Sequence, residues 1–251
     1  MAGDVVETAT QPRPAPAVPP GTRFYAIGDV HGRADLLAQL LKAIEADDAA
    51  RAPAASQLIF LGDLVDRGPT SADAMEIAAR IHRRRPDTRL LMGNHEEVFL
   101  RVLQGDRAAM GFFLKIGGRE TMLSYGLSAN DIDTMRDVEL NAALSARVPA
   151  HHHALLEAME DIVIAGDYAF VHAGIRPDMP LDRQTTNDLR WIREPFLSHP
   201  NDHAKMIVHG HTVTSGVDEQ PNRIGIDTGA FKSHRLTAIG LEGSERWYLA
   251  T

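Results

Sequence analysis

The chain contains no cysteine in its 251 residues. That absence excludes disulfides and thiolate metal sites and leaves any bound metal to nitrogen and oxygen ligands. No apolar run approaches transmembrane length, and the N-terminus carries Asp4 and Glu7 with no apolar signal core, so a cytoplasmic chain without membrane contact is expected. Basic charge is also short. Lys and Arg number 26 against 34 Asp and Glu, a net charge of -8, which argues against a surface for a nucleic-acid polymer. The one basic run, Arg83 to Arg85, ends an expected helix before Pro86, where cations complement the carbonyl end of the helix dipole.

What is present is concentrated in five short blocks: GDVHG at 28–32, GDLVDRG at 62–68, GNHE at 93–96, VHAG at 171–174 and VHGHT at 208–212. The first three each follow an apolar run (FYAI, LIFL, RLLM) and precede a stretch with helical spacing. Their carboxylates, amide and imidazoles are therefore expected where strands end and loops begin, as active sites are in α/β sheets. A pair of divalent cations about 3.5 to 4 Å apart needs hard ligands and one bridging carboxylate, with positions left open for water and substrate. The blocks offer that number. Asp29 and His31 can take one ion, Asp63 can bridge, and Asn94, His172 and His211 can complete the second. Such ions lower the pKa of coordinated water toward neutrality and so supply a nucleophile without a side-chain base. His95, beside Asn94, is then the candidate to protonate the leaving group, with Asp66 orienting its ring and Arg67 holding phosphate oxygens.

A single Asp before Gly is usually a turn, whereas five such blocks in order point to a site. His209, two residues before His211, is read as a packed or supporting histidine. The His151, His152, His153 run opens an expected helix far from the blocks and is read as a solvated helix start.

Residues 1–22, rich in Pro, Ala and Thr, show no apolar periodicity and are expected to be a disordered tail ahead of a domain spanning 23–251. From Phe24 the pattern alternates: strand 24–27, helix 35–47, strand 58–61, helix 71–85, strand 89–92, helix 96–103. This predicts parallel strands. A mostly helical stretch from about Gly105 to Asp161 reads as an insertion over the site. Short strands at 162–165, 168–171, 206–208, 224–226, 236–241 and 246–249 imply a second, mixed sheet.

The blocks resemble the phosphoprotein phosphatase branch of the calcineurin-like metallophosphoesterases, and most closely the bacterial and phage serine/threonine protein phosphatases, over about Phe24 to Thr251. The resemblance implies a four-layer αββα sandwich, two mixed sheets flanked by helices. It implies two divalent ions, manganese first with Fe, Zn or Ni as alternatives, held by Asp29, His31, Asp63, Asn94, His172 and His211. His95 and Asp66 carry over as the acid pair, and Arg67 with Arg193 of the WIRE segment as phosphate-binding cations. The implied substrate is a phosphorylated protein or a small phosphoester, acted on by a monomer. One departure stands out: Met92 occupies the position before GNHE where protein phosphatases of this branch carry Arg. Symmetrical diadenosine tetraphosphatases also lack that Arg and share HAGI, which makes them the second reading. Against them stand Glu96, where those enzymes carry Asp, and the IGGRETMLSYG segment, which resembles a stretch of bacterial protein phosphatases. A non-catalytic phosphate-binding scaffold is the third, and none of the six ligand positions nor His95 is substituted as it would require.

Overall fold

The computed structural model describes residues 15–251. Its elements in chain order are strands β1 (Thr22–Ile27), β2 (Ala55–Phe60), β3 (Arg89–Leu90), β4 (Ile162–Ala165), β5 (Tyr168–Val171), β6 (Met206–His209), β7 (Asp218–Glu219), β8 (Arg223–Gly225), β9 (Thr237–Glu242) and β10 (Glu245–Ala250). The helices are α1 (Ala34–Ala50), α2 (Ser71–Arg84), α3 (Asn94–Leu103), α4 (Arg107–Ile116), α5 (Gly118–Ser124), α6 (Ala129–Thr134), α7 (Asp137–Ser145), α8 (Ala150–Glu157), α9 (Thr186–Trp191) and α10 (Ala230–Ser233).

The first sheet runs β10-β9-β1-β2-β3 and the second β4-β5-β6-β8-β7. β1, β2 and β3 are mutually parallel, as the alternation of strand and helix requires, because a crossover helix returns the chain to the same end of the sheet. The sheets pack face to face through Phe24, Ala26, Ile59, Leu61 and Leu91 on one side and Val163, Phe170, Val208, Ile224 and Ile226 on the other. The opposite face of the first sheet is covered by α1, α2 and the α3 to α8 helices through a second apolar cluster that includes Tyr25, Leu37, Phe60, Met75, Phe99 and Leu156. The outer face of the second sheet carries only a thin layer, in which Leu189 and Ile192 at α9 and Phe196 cover Val171 and Ile207. Two mixed sheets flanked by helices are thus the architecture.

Two expectations need correction. The last two strands do not belong to the second sheet. β9 pairs antiparallel with β1, Tyr25 opposite Gly240, and β10 closes that edge. Ile239 and Leu241 of β9 enter the core between the sheets and Ala238 the helix-covered core, so burial on both faces holds it inside the first sheet. The end of the expected tail is also structured. Its first 14 residues lie outside the described residues, but Ala17 and Asp167 exchange two hydrogen bonds (2.8 and 3.1 Å), and Val18 is buried between the sheets with its N–H on the Gly243 carbonyl. One apolar side chain with a core to enter moves the folded boundary to about Ala17.

Candidate functional site

Every sequence block sits at or just beyond the end of a strand. β1 delivers Asp29 and His31, β2 delivers Asp63, Asp66 and Arg67, and β3 leads to Asn94 and His95 in the first turn of α3. In the second sheet, β5 delivers His172 and β6 delivers His211. Parallel strands align their carboxyl ends, and His172 Nε2 lies 3.0 Å from Asn94 Oδ1, so the ends of both sheets meet on one rim. The meeting is close at the backbone as well: a Cβ on Gly93 would stand 2.2 Å from Asp63 Oδ1, and one on Gly210 2.0 Å from Asp29 Oδ1.

Five site residues, His31, Asp63, Asp66, Arg67 and His211, hold φ between 44° and 71°. This region costs a non-glycine residue roughly 1–3 kcal/mol, so the surrounding hydrogen bonds must maintain it. Those bonds are present. Asp66 N–H donates to Ser71 Oγ (3.0 Å) and Thr121 Oγ1 (2.9 Å), and Arg67 N–H donates to the Gly117 carbonyl. The helical insertion therefore reaches the site through α5 and the turn before it.

The donor set fits a pair of divalent cations. His31, Asp63 and His95 form one group of convergent ligand atoms and Asp63, His172 and His211 a second, with Asp63 common to both. Asp63 Oδ2 faces His31 Nε2 at 3.5 Å and Oδ1 faces His172 Nε2 at 3.4 Å. The Nδ1 atoms of His31 and His172 lie against the Val65 and Leu61 carbonyls (2.9 and 2.8 Å), which places their protons on Nδ1 and turns the Nε2 lone pairs inward. His211 brings Nδ1 to Asn94 Oδ1 at 2.8 Å and leaves its buried Nε2 without a protein partner.

Charge makes the same point. Asp29, Asp63 and Asp227 are all buried together. Burial, with Asp227 and Asp63 adding repulsion, holds the Asp29 pKa well above the carboxylate range, even though Asp29 accepts the His211 N–H at 3.0 Å. Asp227 is pushed up to about 6 by burial and by the Asp63 charge, and its Oδ2 has no partner. Three buried carboxylates need cations to remain ionised together. Burial lowers the His31 and His211 pKa to about 3 and about 2, which keeps both imidazoles neutral and able to ligate.

His95 differs from them. Its Nδ1 is 2.7 Å from Asp66 Oδ2, and Asp66 is itself held by the Thr121 hydroxyl at 2.6 Å. Burial opposes the imidazolium, but the carboxylates of Asp63 and Asp66 outweigh it and raise the His95 pKa. Arg67 spans His31 Nε2 (2.8 Å) and His95 Nε2 (2.9 Å), so its guanidinium bridges the two ring nitrogens. Arg193 is exposed, and its charge lowers the His211 pKa.

Sequence reasoning missed three residues. Glu96 is buried and accepts four backbone N–H bonds, from Asp63 (2.6 Å), Leu64 (2.7 Å), Val65 (3.1 Å) and Gly93 (3.2 Å), so it holds the loop that carries Asp63. Burial and the neighbouring Asp63 charge push its pKa up to about 8 against those four donors. Glu96→Gln replaces an acceptor oxygen by a donor facing backbone donors, and should cost about 2–3 kcal/mol. We expect a melting temperature lower by roughly 4–12 °C, read by thermal unfolding of the metal-free protein. Asp227, in GIDTG, had a readable signal: an acid with glycine two positions away on each side, just beyond a strand. Arg190 had none. It is held by Asp161 (2.7 Å) and Glu97 (3.4 Å), and its charge lowers the His172 pKa.

Other expectations resolve as follows. His209 is buried against the Phe196 ring, 5.0 Å between centroids, and belongs to neither cation group. Met92 is buried with its N–H on the Glu160 carbonyl. Two further arginines, Arg119 and Arg176, are paired with Asp133 and Asp188 respectively. The histidine run opens α8 with His151 and His153 reaching solvent, but His152 departs from the expected solvated start: it is 2% exposed and bonded to both Tyr125 and Glu76, because α8 turns that side chain toward α2 and α5.

Comparison with known proteins places this geometry. The chain is 26% identical over 236 residues to the asymmetrical bis(5'-nucleosyl)-tetraphosphatase PrpE of Bacillus velezensis, covering 86% of this chain and 88% of that protein. It is 33% identical over 154 residues to the symmetrical bis(5'-nucleosyl)-tetraphosphatase of Methylococcus capsulatus, covering 61% of this chain and 44% of that protein. Among solved structures, a candidate diadenosine tetraphosphatase superposes with a TM-score of 0.66 at 22% identity, covering 94% of this chain and 98% of the other. A cold-active protein tyrosine phosphatase gives 0.59 at 21%, covering 93% and 81%. Both likenesses are of fold. The calcineurin-like phosphoesterase profile matches residues 22–229, the stretch that carries all five blocks and Asp227, and the chain belongs to that metal-dependent family of phosphoester hydrolases.

Proposed function

We propose that this hydrolase cleaves the phosphate chain of a nucleoside polyphosphate, with a dinucleoside tetraphosphate as the representative substrate. The relatives that span nearly the whole chain carry that activity in their names, which favours the nucleotide reading that sequence analysis placed second to protein phosphatase. The observation that carries the reading within the site is Phe231. Its half-buried ring lies 5.4 Å from the His31 ring, with the Arg67 guanidinium carbon 4.9 Å above it, at the edge of a cleft of about 670 Å³ that also includes Arg33, Pro69, Thr70 and His234. An aromatic face beside a phosphate-binding arginine suits a base linked to a phosphate chain.

Asp29, His31, Asp63, Asn94, His172 and His211 would hold two divalent cations, manganese being the first to test. When bound, these supply positive charge to the phosphate oxygens and lower the pKa of coordinated water toward neutrality. The chain's own groups do the rest. Arg67 and Arg193 bind and orient the phosphate oxygens, His95 delivers a proton from Nε2 to the departing oxygen, and Asp66 fixes the ring that carries it. Glu96 keeps the Asp63 loop in its strained conformation.

The test measures kcat/KM with manganese on a dinucleoside tetraphosphate, a phosphoserine peptide and nitrophenyl phosphate. We expect the dinucleotide to lead the peptide by at least about tenfold; the reverse order would return the protein-phosphatase reading to first place. Base stacking is worth about 1–3 kcal/mol, so Phe231→Ala should raise KM for the dinucleotide by roughly 5- to 150-fold and leave nitrophenyl phosphate within about twofold. Equal shifts on both substrates would remove the stacking role. The products, two nucleoside diphosphates or a triphosphate with a monophosphate, report where the chain is cut.

A further inference from the structure

Outside the site just described, one further group of convergent ligand atoms exists among the described residues, made by Glu76 of α2 with His151 and His152 of α8. We propose that these three side chains form a separate cation site, suited to a zinc-class divalent ion, which staples α8 to α2. His151 Nε2 lies 2.7 Å and His152 Nε2 3.2 Å from the same oxygen, Glu76 Oε2. Tetrahedral zinc at about 2.0–2.1 Å from each ligand spaces its ligands about 3.3 Å apart, so the three atoms need only small outward shifts to admit an ion between them. Two imidazoles and one carboxylate on a cysteine-free surface are the donor types zinc accepts, with water in the fourth position.

The surroundings are built rather than incidental. His152 is buried, and its Nδ1 is 2.9 Å from the Tyr125 hydroxyl, which is itself in a buried ring packed against Phe99. Without an ion, Tyr125 O–H donates to Nδ1 and both histidines donate Nε2–H to Glu76. With an ion, the His152 proton moves to Nδ1 and is donated to the Tyr125 oxygen, the outer hydrogen bond that ligating histidines require. The hydroxyl can pair with either tautomer, so His152 Nδ1 keeps its partner when a cation enters. The amino end of α8 disfavours positive charge, and the Glu76 anion offsets that opposition. Glu76 and His151 are partly exposed, 41% and 48% by side chain, which gives the ion a path in.

The site lies away from the catalytic groups, but the helices it joins are connected to them. Tyr125 caps the end of α5, whose Thr121 holds Asp66. An ion here is expected to stiffen that support without entering the chemistry.

The experiment uses the full chain and zinc as the probe. Protein equilibrated with zinc and desalted is compared, by metal content and by melting temperature, with Glu76→Gln and with His151→Gln. Glu76 and His151 are partly exposed, so both variants should fold, and turnover of nitrophenyl phosphate with manganese should stay within about twofold of the parent. We expect each variant to hold one zinc fewer per chain than the parent. At a hundredfold excess of zinc over Kd, each should also lose about 5–10 °C of the zinc-induced rise in melting temperature. Equal zinc content and an equal rise in parent and both variants would overturn the proposal. The comparison is a difference between parent and variant, so it stands whether or not the nucleotide reading of the catalytic site survives.

Discussion

Asp63→Asn is expected to abolish metal-dependent turnover and to reduce bound metal from two ions toward one or none. Both carboxylate oxygens are committed, Oδ1 toward His172 and the His95 N–H and Oδ2 toward His31, so one side chain serves both cation groups. Asparagine keeps the volume but loses the charge and one acceptor. Removing one partner from a buried charge pair costs about 3–5 kcal/mol, which corresponds to roughly a 10²- to 4 × 10³-fold weaker cation affinity at each group that depends on it. The Asp63 pKa lies below the carboxylate range although burial opposes the anion, and Oδ1 accepts the His95 N–H at 3.1 Å, so the group removed is one that the site holds as a carboxylate. Equilibrium dialysis followed by metal analysis checks the outcome, and two tightly held ions in the variant would reject Asp63 as the shared ligand.

His95→Asn should give a different phenotype. A positioned general acid contributes about 10² to 10⁴ in rate without holding metal. The loss should follow the leaving group. Serine departs as an alkoxide and needs the proton, so turnover of a phosphoserine peptide should fall by that full factor. A nucleotide phosphate departs as a weak base, its second ionisation lying near 6, so a dinucleoside tetraphosphate should lose less than about tenfold. Nitrophenyl phosphate should behave like the nucleotide. Metal content is the second readout, because His95 Nε2 also stands 3.9 Å from Asp63 Oδ2 within the first cation group. Unchanged content with a leaving-group-dependent loss supports the acid. A fall in content with equal losses on all three substrates would falsify that role and make His95 a ligand instead.

Much of the site was legible because its residues are locally encoded. In GDVHG, GDLVDRG and GNHE the ligand types, the flanking glycines and the preceding apolar run all fall within a few positions, and a strand followed by a tight turn places such residues at a sheet's carboxyl edge whatever the rest of the chain does. The parallel order of β1, β2 and β3 followed from the same local signal, since each crossover helix is visible in sequence. The tail expectation failed at Val18 for the converse reason: one apolar residue in a polar stretch has no periodicity, and only a neighbouring core gives it a place.

Composition and the five blocks by themselves determined that this chain is a cysteine-free α/β protein and pointed to a divalent-metal site built from nitrogen and oxygen donors. The tertiary structure alone decided what depends on contacts between distant segments. It put β9 beside β1, some 210 residues away in sequence, because both faces of that strand find apolar partners only there. It gave Glu96 four backbone donors to hold, added Asp227 to the buried charge, set Phe231 beside Arg67, and turned His152, within an expected solvated helix start, toward Glu76 and Tyr125. Hydrogen bonds and charge fall off within a few ångströms, while the residues that make them here lie tens to hundreds of positions apart. No local pattern in the chain records such pairings.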